Sequence, residues 1–142
     1  MNEYNPLALE NQLCFPLYAA AREVVKLYKP FLDGIGLTYT QYIAMMALWE
    51  HKTLNVKTLG KYLHLDSGTL TPLLKKLEKD GLLTRSRSDK DERELVVTLT
   101  EKGADLRERA LEIPRKLGEC MSLTIEEARA LYTLLYKILR QT

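Results

Sequence analysis

Residues 66–81, DSGTLTPLLKKLEKDG, constrain this chain more than any other stretch. Leu70, Leu73, Leu74 and Leu77 recur at i, i+3, i+4 and i+7, the stripe of a helix that buries one face. Asp66 or Ser67 can accept hydrogen bonds from the first unpaired N–H groups, and Gly81 can close the far end. The opposite face presents Ser67, Thr69, Thr71, Lys75, Lys76 and Lys79. Short hydroxyls near the N-terminus suit the reading of base edges, and cations further along suit phosphates. Pro72 removes one ladder bond about one turn in, so a local bend is expected. The plainer reading is an amphipathic helix with a solvated basic face.

The neighbouring segments favour nucleic acid. VKTLGKYL, residues 56–63, predicts a short helix, and His64, Leu65 and Asp66 predict a three-residue turn. Together they form a helix-turn-helix whose second helix would enter a major groove. Residues 82–85 and 94–99 then read as two short strands around a charged loop, a β-hairpin wing. The expected fold is therefore mainly α, a winged helix-turn-helix with a small two-stranded wing.

A chain of 142 residues with 46% apolar content is one domain's length and can fill a core. No apolar run approaches a membrane span, and the first residues lack the pattern of a secretory leader, so a cytoplasmic protein without membrane contact is expected. The net charge of +2 is too small to drive DNA binding alone. Between Ser67 and Arg93, seven Lys/Arg face five Asp/Glu, so affinity would rest on placement.

The first helix is expected to start near Phe15-Pro16, where a proline costs little. It should keep a helical period to Phe31, with Lys29-Pro30 opposing continuation into the LDGIG loop. Thr38 to Gln41 is a capping-box pattern opening a helix through Trp49. Thr100 caps a long predicted helix that Pro114 should kink and Gly118 can end. Thr124 with Glu127 opens the last helix, carrying Leu131, Leu134, Leu135, Ile138 and Leu139. The reading core spans about residues 38–100, within a single domain of residues 1–142. The outer helices, about 6–33 and 101–141, either complete a monomer core or form a dimer interface. Paired half-sites on DNA favour the dimer.

Cys14 stands close to a helix N-terminus, where the dipole favours the reactive thiolate, although a cysteine between Leu13 and Phe15 can equally be a small buried hydrophobe. Tyr28 follows it by fourteen residues, about 21 Å along a straight helix, so the two could meet only across an antiparallel dimer. His51 and His64 have no second ligand at metal-binding spacing, and no phosphate loop or nucleophile elbow is present, so no metal, cofactor or enzymatic site is expected.

LENQLCFPLY, LTYTQY, LDSGTLTPLLKKLEKDGLLTRSRS, DKDER and LTEKG together resemble the MarR family, and more narrowly its organic-hydroperoxide sensors, the OhrR group. The similarity runs from Leu9 to about Gly103 and then loosens. It implies a homodimeric winged-helix repressor of transcription on a pseudo-palindromic operator in double-stranded DNA, released when an organic hydroperoxide oxidises the protein. The family's peroxidatic cysteine matches Cys14, and the tyrosines that bond its thiolate from the partner match Tyr28 and Tyr39. Arg93 matches the wing arginine placed in the minor groove, and Asp91 the acid that orients it. The candidate DNA contacts are then Ser67, Gly68, Thr69, Thr71, Pro72, Lys75 and Lys76 on the helix, with Arg85, Arg87, Asp91 and Arg93 on the wing.

Cys120 falls near the resolving cysteine of the two-cysteine sensors, and an incidental half-buried cysteine is the alternative. Two other functions compete with the redox repressor. One is a MarR-type repressor relieved by a non-covalent phenolic or drug-like ligand, in which Cys14 is incidental. The other is a thiol peroxidase using Cys14, against which stands the lack of a thioredoxin-like βαβ pattern.

Overall fold

The leucine stripe of residues 66–81 forms a helix as its spacing requires. In the computed structural model, which describes residues 4–140, α4 spans Ser67–Lys79 and buries Leu70, Leu73, Leu74 and Leu77. Burial of this kind is worth about 1.5–3 kcal/mol per leucine, enough to carry Pro72 within the helix. Asp66 caps the start, accepting the Thr69 N–H at 2.7 Å, and Gly81 takes φ +79° just beyond the end.

Two compact units emerge along the chain, residues 28–112 and residues 1–27 with 113–142. In the first unit, α2 (Tyr39–His51) opens on the complete Thr38–Gln41 capping box. β1 (Thr53–Asn55) leads directly into α3 (Val56–Leu63), whose cap is Asn55 and whose end is His64 at φ +53°. After α4 come β2 (Leu83–Arg87) and β3 (Leu95–Leu99), then α5 (Glu101–Ala110) on a Thr100 cap. Met45, Leu48, Leu59, Leu83 and Val97 join the α4 leucines in the core.

The expected two-stranded wing is present as β2 and β3, and β1 joins it to make a three-stranded antiparallel sheet in the order β1–β3–β2. Leu83 faces Leu99 and Arg87 faces Leu95, while Thr53 and Asn55 face Thr98 and Val96 on the other side of β3. Three residues between two helices carry no readable alternation. Only pairing with β3 makes β1 a strand.

Three helix boundaries also differ from expectation. α1 spans Cys14–Asp33 and continues through Pro30. The next turn buries Leu32, which offsets much of the roughly 3 kcal/mol an interior proline costs. The long helix after Thr100 is not kinked but divided, into α5 and α6 (Ile113–Cys120). Pro114 falls in the first turn of α6, where its missing N–H leaves nothing unpaired, and Gly118 lies inside α6 rather than at its end.

The second unit holds a 3-10 turn at Leu9–Asn11, the start of α1, α6 and α7 (Ile125–Leu139). The Thr124–Glu127 capping box is complete. Ile113 and Leu117 are buried, but α7 buries no residue: Leu131, Leu134, Ile138 and Leu139 lie exposed on it.

Candidate functional site

The buried leucines of α4 turn the rest of the helix outward. Ser67, Gly68, Thr69, Thr71, Pro72, Lys75 and Lys76 are all exposed. Lys76 pairs with Asp80 at 3.1 Å, a surface contact worth little and open to exchange for a phosphate. The Asp66 carboxyl is held below the usual carboxylate range, chiefly by the Thr69 main-chain N–H. The cap is therefore intact at neutral pH and weakens only as acid protonates Asp66.

The wing residues divide by environment. Arg87 lies exposed at the end of β2. At the hairpin tip the Asp91 carboxylate accepts the Arg93 main-chain N–H at 3.0 Å, and the Asp91 carbonyl accepts the Glu94 N–H at 2.9 Å. This tight turn leaves Arg93 exposed, with Asp91 acting on its backbone. Arg85 differs: it is half-buried, and its guanidinium bonds the Glu78 carboxylate through Nε at 3.2 Å and Nη2 at 3.0 Å.

Tyr28 and Tyr39 come together, ring centroids 4.8 Å apart and tilted by 49°. Tyr42, unnoticed in the sequence, completes the group at 5.7 Å from Tyr28 and 6.4 Å from Tyr39. Its i, i+3 spacing from Tyr39 was the available signal. Trp49 meets Tyr42 edge-on and donates its indole N–H to the Gly103 carbonyl at 2.8 Å. Burial, then Tyr39 and Tyr42, push the Tyr28 phenol up to about 12, and burial also raises Tyr39 and Tyr42. These phenols therefore remain O–H donors at neutral pH. Because the folded value lies above the unfolded one near 10, their contribution to stability is complete below that pH and falls as pH rises towards 12. A spectrophotometric titration should find phenol ionisation delayed in the folded protein and restored to normal in denaturant; Tyr28→Phe should remove part of the delayed change.

Cys14 is exposed at the first residue of α1. The segment before it is folded by its own amides: Asn11 Nδ2 donates to the Asn5 carbonyl, and Gln12 Nε2 to those of Pro6 and Ala8. Cys120 is exposed at the last residue of α6, its thiol donating to the Lys116 carbonyl at 3.3 Å. His51 stacks on Tyr62 beside Glu50, and His64 occupies the left-handed end of α3. Among the described residues no cluster of three His, Cys, Asp or Glu side chains could hold a metal, and no helix is long and apolar enough to cross a membrane.

A helix-turn-helix with an outward polar helix and a β-hairpin behind it defines a winged-helix protein. Comparisons place it within that class. The family described as transcriptional regulator SarA/Rot matches residues 26–109. The organic hydroperoxide resistance transcriptional regulator of Bacillus subtilis (strain 168) is 50% identical over 138 residues, 97% of this chain and 94% of that protein. The structure of reduced AbfR bound to DNA, AbfR being a protein of Staphylococcus epidermidis, superposes with a TM-score of 0.78 at 35% identity, over 94% of this chain and 93% of that one. A disulfide-formed structure of AbfR gives 0.67 at 34% identity, covering 92% of each chain. MarR itself shares the fold, with a TM-score of 0.74 at 18% identity over 91% of this chain and 96% of that one. The chain belongs to the SarA/Rot family of winged-helix, MarR-like transcriptional regulators.

Proposed function

We propose that the chain is a homodimeric, cytoplasmic repressor that binds a pseudo-palindromic operator in double-stranded DNA and leaves it when an organic hydroperoxide oxidises Cys14. The observation that carries the reading is α4: four buried leucines hold one face, and the face opposite offers hydroxyls at its N-terminal end and lysines beyond. The hydroxyl end reads base edges in the major groove, Lys75 and Lys76 meet phosphates, and Arg93 enters the minor groove. In this reading residues 38–100 read DNA, and residues 6–33 and 101–141 pair the two copies. The exposed apolar residues of α7 fit that second role.

Cys14 receives hydrogen bonds from the partner's Tyr28 and the partner's Tyr39, whose raised values keep them donors. The thiolate sulfur attacks the distal oxygen of the hydroperoxide; the O–O bond breaks, the alkoxide leaves and is protonated, and Cys14 becomes a sulfenic acid. The partner's Cys120 thiol then displaces hydroxide from that sulfur, forming a disulfide between the two copies and water, as the disulfide-formed relative suggests. The oxidation is a single event per protomer, not a turnover.

The test begins with duplexes selected from a random pool by the reduced protein, followed by addition of an organic hydroperoxide. A selected duplex released on oxidation is expected. Failure to select any duplex overturns the DNA reading, and retention after full oxidation overturns the switch. On the selected duplex, Arg93→Ala should weaken binding by at least about tenfold with the fold intact, measured by fluorescence anisotropy; unchanged affinity would mean the wing does not enter the groove.

A further inference from the structure

The Glu78–Arg85 contact joins the two DNA-reading elements. β2 is one of the two edge strands of the sheet, so one side of its backbone has no neighbouring strand. Glu78, on the last turn of α4, fills that side. Its Oε2 accepts the Arg85 main-chain N–H at 2.9 Å, and its Oε1 accepts Nε and Nη2. One carboxylate thus grips both the strand and its guanidinium. The chain between α4 and β2 is only Asp80, Gly81 and Leu82, with Gly81 in the left-handed region. Within that short joint the Leu82 N–H bonds the Leu77 carbonyl at 3.0 Å, and Glu78 reaches past it to the middle of the strand.

Charge gives the contact a second meaning. Arg85 is neutralised within the protein, so it adds little attraction for a phosphate; Glu78 near a polyanion is by itself repulsive. Resting on the DNA-binding reading above, we infer that Glu78 and Arg85 are positioning residues that set the angle between α4 and the β2–β3 hairpin, so that major-groove and minor-groove contacts are made in register. Arg85 is then not a phosphate contact. The pair also holds the Glu78 carboxyl below the usual range, through the Arg85 side chain first and its main-chain N–H second, so the grip persists at neutral pH and fails only as acid protonates Glu78.

Two substitutions separate this from ordinary electrostatics. Glu78→Gln removes a negative charge, which alone should tighten DNA binding; loss of the grip should weaken it. Arg85→Lys keeps a cation able to meet a phosphate but lacks the planar fork that bonds Glu78. Each variant is expected to bind the selected duplex about five- to tenfold more weakly, and the double variant no more weakly than either single one. Hydroxyl-radical footprints should lose protection of the flanking minor-groove sugars, while protection of major-groove guanine N7 from dimethyl sulfate persists. Circular dichroism checks that each variant folds, and Arg85→Lys decides the matter should Glu78→Gln unfold. Wild-type affinity in Arg85→Lys, or equal or tighter binding by Glu78→Gln, overturns the inference alone. A wild-type protein that selects no duplex overturns the DNA reading and the inference with it.

Discussion

Replacing Gly103 by alanine is expected to destabilise the protein by about 3 kcal/mol, a fall of roughly 10 °C in Tm at fixed protein concentration. Helix propensity predicts the opposite sign, because alanine is favoured over glycine by about 1 kcal/mol inside a helix. The position decides otherwise. A Cβ there would lie 2.1 Å from the Leu82 carbonyl oxygen and 2.8 Å from the Leu99 side chain, so backbone as well as side chain must move. The same carbonyl accepts the Thr100 N–H at 3.2 Å, and the Gly103 carbonyl accepts the Trp49 indole N–H. Pushing α5 outward would strain these contacts together. Thermal unfolding followed by circular dichroism measures the effect, and a Gly103→Ala variant as stable as wild type would show that α5 can shift without loss.

The second large effect is chemical. Wild-type protein treated with roughly one equivalent of organic hydroperoxide should lose operator affinity on the order of 100-fold, within the usual range of coupling between two sites. Cys14→Ser should bind the same duplex as tightly as reduced wild type and keep that affinity after treatment, since a hydroxyl cannot form a sulfenic acid. On non-reducing gels, a dimer-sized band should appear in oxidised wild type and be absent from Cys14→Ser and Cys120→Ser. Release of both proteins by hydroperoxide would move the sensor elsewhere in the chain. Release of neither, together with release by a phenolic ligand, would favour non-covalent control.

Much of the unit of residues 28–112 is legible in one dimension because its signals are local. Four leucines at helical spacing, a carboxylate immediately before the helix and a glycine beyond determine α4, its buried face and therefore the face left outward. The capping boxes at Thr38 and Thr124 likewise complete themselves within four residues. Whole motifs point to the family, because such motifs hold several constraints at once. Position within those motifs also singled out Cys14, Tyr39 and Arg93, and Tyr28 followed from the resemblance of the stretch between them.

What the sequence withheld depends on partners distant along the chain. β1 is a strand because β3 lies beside it, forty residues later. α1 passes Pro30 because Leu32 finds a buried site, and Arg85, read from the sequence as a DNA contact, bonds Glu78 because the last turn of α4 lies beside an edge of β2. Gly103 looks like a weak point in a helix until the Leu82 carbonyl fills the space its side chain would need. Periodicity and capping act over one or two turns, so the order of residues alone determined the helices and the face that α4 presents. Edge pairing, close backbone approach and the fate of a charge require two segments to meet, and only the tertiary structure decided those.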